Sequence, residues 1–423
     1  MTKRLREGVF MDIQQNLNNG FVIPIDKIYE RNQLVRLLKK YFYIYGYKEI
    51  DTPTLESYDM YTEMNGTVNR HEMIKTIDNT GRVRVLRPDI TIPITRKIAE
   101  QHKQLTKDLR YFYVHNVFRH AIETKEQLEN KQAGVEYFGN SSIEADAEII
   151  SLAYEVLENL RVNHFKIEIG HAGFFKQLVE EMQLDQLSLN RLKNSIQAKN
   201  VGEIDELLSP LNVDNSLKTI VTSLPFLYGN YEEIFKKVNK LPLSDVLQKT
   251  LQNIAQLFLI LDDDDVKENI VIDLSLINHM DYYSGIIFQG FIEKIGKPIL
   301  MGGRYDTLAD HFNANIPAIG FAFDIDLLMK GIPNAFFHGK PQIDVCIYYD
   351  ALNQKESFDT AKILRKHGFT VVTYPKKEKQ YNRVDVYATL DIKNDDLILS
   401  INNEKSDCST IDDVISILKN KER

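Results

Sequence analysis

A chain of 423 residues and 49.0 kDa exceeds what one hydrophobic core ordinarily organises, so two or three domains are expected. With 43% hydrophobic residues, 26% charged residues and a mean hydropathy of -0.30, it reads as a soluble globular protein rather than a disordered or membrane one. A net charge of -8 and a pI near 5.8 count against a surface built to hold a polyanion, and the stretch 341–423 hides no basic domain, with 13 Lys and Arg against 14 Asp and Glu.

The first residues, MTKRLREGVFMDIQQNLNNG, start basic but lack the uninterrupted apolar run of a secretory signal, and no window approaches a membrane span. A cytoplasmic chain is expected. Cys346 and Cys408 lie far apart without CxxC spacing, so they read as reduced thiols rather than as a disulfide framework or a zinc site.

From Ile28 to Tyr45 the apolar residues Leu34, Leu37, Leu38, Tyr41 and Phe42 fall at helical spacing, which predicts an amphipathic helix. It runs into Tyr47–Ile50 and then Asp51-Thr52-Pro53, a strand that proline turns at the sheet edge. The runs Met73–Ile77 and Val83–Leu86, separated by Asp78-Asn79-Thr80-Gly81-Arg82, predict a hairpin. Strands follow over Leu109–Arg119 and Ala133–Phe138, then a helix over Ala145–Leu160 and a strand over Phe165–Ile169. Between about Phe174 and Leu261 the periodicity is helical, with scarcely any strand signal. The acidic run Asp262–Asp265 lacks the alternating ligands and bidentate Glu of a calcium loop and reads as a solvated loop.

Strands return at Ile270–Leu274, Ser284–Phe291 and Ile319–Phe323, with Gly302-Gly303-Arg304-Tyr305-Asp306 between the last two. After Pro333 the texture becomes β-α-β: strands at Val345–Tyr349, Phe369–Thr373, Val384–Ala388 and Leu397–Ile401, helices at Lys355–His367 and Ile411–Leu418.

The succession Thr52-Pro53-Thr54-Leu55-Glu56, Leu86-Arg87-Pro88-Asp89, Phe118-Arg119, Gln132-Ala133-Gly134-Val135-Glu136, Asp281-Tyr282-Tyr283-Ser284-Gly285 and Gly302–Asp306 resembles histidyl-tRNA synthetase over nearly the whole chain. Each string alone is weak; six in register are specific. The resemblance implies an α+β fold, a class II synthetase-like antiparallel sheet flanked by helices. Its parts are residues 1–172 and 266–332 as core, 173–265 as helical insertion, and 333–423 as a small α/β domain like a reduced anticodon-binding domain.

The resemblance also implies a histidine pocket. Asp89 matches the acidic residue that takes the α-ammonium, Thr91 a neighbouring hydrogen-bonding hydroxyl, Arg119 the retained arginine of motif 2 within the ligand-binding set, Gln132 and Glu136 the pair on the strand after motif 2, and Tyr282, Tyr283 and Tyr305 positions near the imidazole. The chemistry suits the ligand independently: a zwitterion with an imidazole needs an anion for its ammonium, an acceptor for a ring N–H and flat walls with polar tips. Other readings stay open, with Asp89 only a helix N-cap, Glu136 a structural ion-pair partner and the tyrosines plain core aromatics.

Class II chemistry also needs fixed guanidinium groups to hold ATP. Here Ala121 replaces the acidic residue of motif 2, and Ile122, Asn278 and Leu327 stand where the synthetases carry arginines. A histidine pocket without the ATP-holding residues resembles the regulatory subunits of ATP phosphoribosyltransferase, paralogues of the synthetase. This implies a non-catalytic partner of the short-form catalytic subunit, activating it and binding histidine for feedback inhibition, without cofactor, metal or tRNA. An active histidyl-tRNA synthetase and another histidine-binding synthetase-like protein are the alternatives. A homodimer within a larger hetero-oligomer is expected from the apolar face Leu34–Tyr45 beside the proline-ended edge strand, a face that a monomer would leave partly exposed.

Overall fold

The computed structural model describes residues 25–419 except 63, 65–67, 104, 121–127, 163, 212, 262–263, 278–281, 338–342, 377–385, 394–395 and 402–403. Ala121, Ile122, Asn278 and Asp281 therefore lie outside the described residues, as do Asp262 and Asp263 of the acidic run. The chain divides into two compact units, Met1–Phe337 and His338–Arg423.

The first unit is built on a nine-stranded sheet. Its spatial order is Lys48–Glu49, Leu109–Phe118, Glu129–Phe138, Ala318–Asp324, Leu300–Arg304, Ile286–Ile292, Phe165–His171, Ile270–Asp273 and Tyr228–Gly229. Neighbours run antiparallel except for Lys48–Glu49 beside Leu109–Phe118 and Phe165–His171 beside Ile270–Asp273. A parallel pair needs a long crossover, and the helices between Ala172 and Asn269 supply the second one. That helical stretch does not form a core of its own: Leu178, Ile196 and Ile254 are buried in the same cluster as Val135 and Phe321 of the sheet. It also contributes the edge strand Tyr228–Gly229, too short to leave a period in the sequence.

Alternation along Glu129–Phe138 sets the two faces of the sheet. Ala133, Val135 and Tyr137 enter the main core, which also takes Ile149, Ile150 and Leu157 from the helix Ile143–Asn159, while Gln132, Gly134 and Glu136 point the other way. That helix starts at Ser142, whose side chain accepts from the Ala145 N–H, with Glu144 and Asp146 in the first turn where the helix dipole favours anions. The helix Ile25–Ile44 ends because Gly46 takes a left-handed φ of 81°, letting the Tyr47 N–H reach back to the Phe42 carbonyl.

The apolar face Leu34–Tyr45 turns mostly inward, with Leu37, Tyr41 and Tyr45 half-buried against the core and Tyr43 and Ile44 exposed. Leu34, Leu38 and Phe42 are wholly buried in the protomer's own core, because the sheet covers that face of the helix. The exposed large apolar side chains of this helix are Ile28, Tyr43 and Ile44, and those of a separate three-stranded sheet are Leu55, Ile77 and Val83.

The second unit is a five-stranded sheet ordered Val371–Pro375, Ile343–Tyr349, Val386–Lys393, Asp396–Ile401 and Glu404–Cys408, with helices Gln354–Lys366 and Ile411–Lys419. The last strand is absent from the sequence-based expectation. Glu404, Lys405, Ser406 and Asp407 are all exposed, so there is no apolar alternation to read, and the segment is a charged edge held by backbone pairing with Asp396–Ile401. Both cysteines are buried thiols, and no described helix is long and apolar enough to cross a membrane.

One buried cation ties the first unit together. Arg304, at the end of its strand, donates from Nε to Asp146 at 2.8 Å and from Nη1 to the Asn140 carbonyl and to Asp306, both at 3.0 Å. The side chains of Arg304 and Asp146 are 6% and 5% exposed, whereas that of Asp306 is 35% exposed. Asp146→Ala is expected to cost about 3–5 kcal/mol, since it strands a buried guanidinium. Asp306→Ala should cost less. Thermal unfolding checks both, and equal midpoints for the two variants would show that the pair carries no such weight.

Candidate functional site

The sheet face that bears Gln132 and Glu136 is floored by small residues. Gly134 lies between them, Gly320 stands opposite Glu136, Ala322 opposite Gly134, and Gly303 opposite Gly320. A Cβ on Gly134 would come within 2.6 Å of the Tyr113 hydroxyl, one on Gly303 within 2.8 Å of the Tyr283 ring, and one on Gly320 would collide with Glu136 Oε2. The glycines thus clear space for a carboxylate and two aromatic rings to lie close to the backbone. Above them opens a cavity of about 100 Å³.

Asp89 is presented by a turn that two arginines fix. The Arg87 guanidinium is buried and donates to the carbonyls of Thr52 at 2.6 Å and Asn116 at 2.8 Å, while Arg119 Nε donates to the Pro88 carbonyl at 2.6 Å. Asp89 Oδ1 accepts from the Ile92 N–H at 2.8 Å, so this residue both caps the helix Thr91–Gln101 and lines the cavity. Arg119 Nη2 lies 3.9 Å from Asp89 Oδ2. Burial pushes the Asp89 carboxyl above the usual carboxylate range, against the pull of Arg119 and the helix N–H groups.

Glu136 is almost wholly buried at 1% exposure, and its partners are hydroxyls rather than a cation. Thr91 Oγ1 donates to Oε1 at 2.7 Å and the Tyr305 hydroxyl donates to Oε2 in a short contact. Burial raises the carboxyl to about 8, although both hydroxyls favour the charged form; nearby Asp89 adds to the rise. The rings of Tyr282 and Tyr283 lie 4.8 Å apart and those of Tyr282 and Tyr305 5.8 Å apart, edge to face. Burial holds all three phenols above their ordinary value, hence neutral.

Asp89, Thr91, Arg119, Gln132, Glu136, Tyr282, Tyr283 and Tyr305 all line this one cavity. Sequence reading missed Tyr113 and Asp324, which line it too. Tyr113 pairs with Gly134 and Asp324 with Gln132, so only the strand register puts them there. Leu327 lies in the helix Ile325–Gly331, its N–H bonded to Asp324 at 2.9 Å and its half-buried side chain packed on the main core. It offers no charge. Among the described residues no cluster of His, Cys, Asp or Glu is placed to hold a metal ion. The arrangement suits a small ligand with a cationic head and a flat polar ring.

The family model for histidyl-tRNA synthetase matches residues 22–328. The fold agrees: histidyl-tRNA synthetase from Nostoc superposes with a TM-score of 0.75 at 16% identity, over 95% of this chain and 99% of that one. A structure from Bacillus halodurans described as an ATP phosphoribosyltransferase regulatory subunit/histidyl-tRNA synthetase gives a TM-score of 0.73 at 28% identity, over 84% and 93% of the two chains. The ATP phosphoribosyltransferase regulatory subunit of Oceanobacillus iheyensis is 40% identical over 86% of this chain and 89% of its own length. That of Ruminiclostridium cellulolyticum is 34% identical over 83% and 84%. The chain belongs to the histidyl-tRNA synthetase family, and within it to the branch of ATP phosphoribosyltransferase regulatory subunits of histidine biosynthesis.

Gly320→Ala tests the floor. The methyl group must displace Glu136, so a stability loss of about 1–3 kcal/mol is expected, together with loss of ligand binding by calorimetry. A variant as stable as the parent that still binds would mean that the Glu136 side chain needs no such clearance.

Proposed function

We propose that this chain is the non-catalytic, histidine-sensing partner of a short-form ATP phosphoribosyltransferase. It activates that enzyme and transmits feedback inhibition when histidine fills its cavity, working in the cytoplasm without cofactor or tRNA. The observation that carries this reading is a contrast: Asp89 and Glu136 meet in a tyrosine-walled cavity, whereas Leu327, outside that lining, packs a half-buried apolar side chain against the core. The names of the relatives support the partnership. Histidine-dependent ATP–pyrophosphate exchange is the activity of a synthetase and should be absent. A pull-down with the catalytic subunit, assayed with and without histidine, should recover both activation and inhibition.

Asp89→Asn and Glu136→Gln should separate the two effects. Asn can still cap Ile92, so the fold around Asp89 survives, but the anion facing the α-ammonium is lost. Losing a charge-assisted hydrogen bond costs roughly 1.5–3 kcal/mol, or about ten- to a hundredfold in affinity. Feedback is a coupling between two sites, so a weakened ligand needs proportionately more concentration for the same shift. Both variants should activate the partner normally, with half-inhibition at about tenfold or more histidine. Parental inhibition curves for both would place the regulatory site elsewhere.

The chain should also be a homodimer before any partner binds, using the exposed Tyr43, Ile44, Leu55, Ile77 and Val83 region. Sedimentation at micromolar concentration should give twice the chain mass, and a monomer there would remove this part of the reading.

A further inference from the structure

The charged groups of the cavity do not balance. Among the described residues it is lined by three carboxyls, Asp89, Glu136 and Asp324, and one guanidinium, Arg119, which stands beside Asp89. Glu136 is faced by Thr91 from the helix, Asp89 from the turn before it, Tyr113 from the neighbouring strand, and Tyr282, Tyr283 and Tyr305 from the loops around the sheet. None of these brings a positive charge. Burial above all, with Asp89 adding to the rise, therefore holds the Glu136 carboxyl at about 8, so that it keeps its proton at neutral pH.

A zwitterionic amino acid brings one positive and one negative charge, so its backbone leaves the imbalance unchanged. Only a ring that can accept a proton alters it. We infer that the cavity binds histidine with its ring protonated, the proton passing from the Glu136 carboxyl to a ring nitrogen. The inference rests on the histidine reading above. The Glu136 O–H bond breaks and a ring N–H bond forms, leaving an imidazolium–carboxylate pair and exchanging nothing with solvent. Thr91 and Tyr305, already donating to both Glu136 oxygens, stabilise the carboxylate that results. Glu136 is then a specificity-determining residue that selects for a basic ring.

The test uses the wild-type protein and histidine labelled with ¹⁵N in the ring. A free ring titrates near about 6.5, so at pH 7.5 most free histidine carries one bare ring nitrogen. Bound histidine should show both ring nitrogens protonated at that pH. Calorimetry should find affinity flat between about 6.5 and about 8, with up to about a tenfold loss per pH unit on either side. Glu136→Gln should still bind, more weakly, with a neutral ring. A bound wild-type ring with one bare nitrogen at pH 7.5 overturns the inference, as does a tenfold rise in affinity per unit across that plateau. A protonated ring in the Gln variant removes Glu136 as the donor. No binding at any pH from 5.5 to 9 overturns the histidine reading itself, a result distinct from each of these.

Discussion

A carboxyl in a site that excludes water must be satisfied by its neighbours or stay neutral, and the site in this chain is arranged around that constraint at Glu136. Two hydroxyls from different elements reach its oxygens, Thr91 from the first turn of a helix and Tyr305 from the end of a strand. Gly320 opposite leaves the space the carboxyl occupies. Gly134 and Gly303 extend the same clearance sideways, so Tyr113 and Tyr283 wall the cavity close to the backbone. Removing either hydroxyl leaves a buried carboxyl oxygen without its partner, which is costly.

The second buried charge system, Arg304 with Asp146, lies next along the chain from Tyr305 but does different work. It holds the strand end against the start of the helix Ile143–Asn159 and so fixes where Tyr305 begins. Gly302-Gly303-Arg304-Tyr305-Asp306 thereby combines a floor, an anchor and a wall within five consecutive residues. The apolar residue at 327 packs on the core and leaves intact the strand register that assembles the cavity-lining side chains.

Much of the fold was legible because its elements carry strong local periods. The helix Ile25–Ile44, the hairpin around Asp78–Arg82 and the helix Ile143–Asn159 all show apolar spacing or turn residues that leave one reading. Where the period was short or polar, as in Tyr228–Gly229 and Glu404–Cys408, backbone pairing alone makes the strand, and no side-chain pattern records it. The face Leu34–Phe42 was legible as apolar, but not what covers it, because burial against one's own sheet and burial against a second copy demand the same residues.

By itself, the sequence determined which groups were available: carboxyls at 89 and 136, a hydroxyl at 91, tyrosines at 282, 283 and 305, and an uncharged residue at 327. It also determined that Gln132 and Glu136 share a face, since a strand alternates with period two. Only the tertiary structure decided that Tyr113 and Asp324 join them, because strand register is set by long-range pairing that local sequence does not encode. It alone decided that Asp89 caps a helix as well as lining the cavity. The proton state of Glu136 belongs to the same category, for a carboxyl's affinity for its proton depends on how much water and how many charges the folded chain leaves around it.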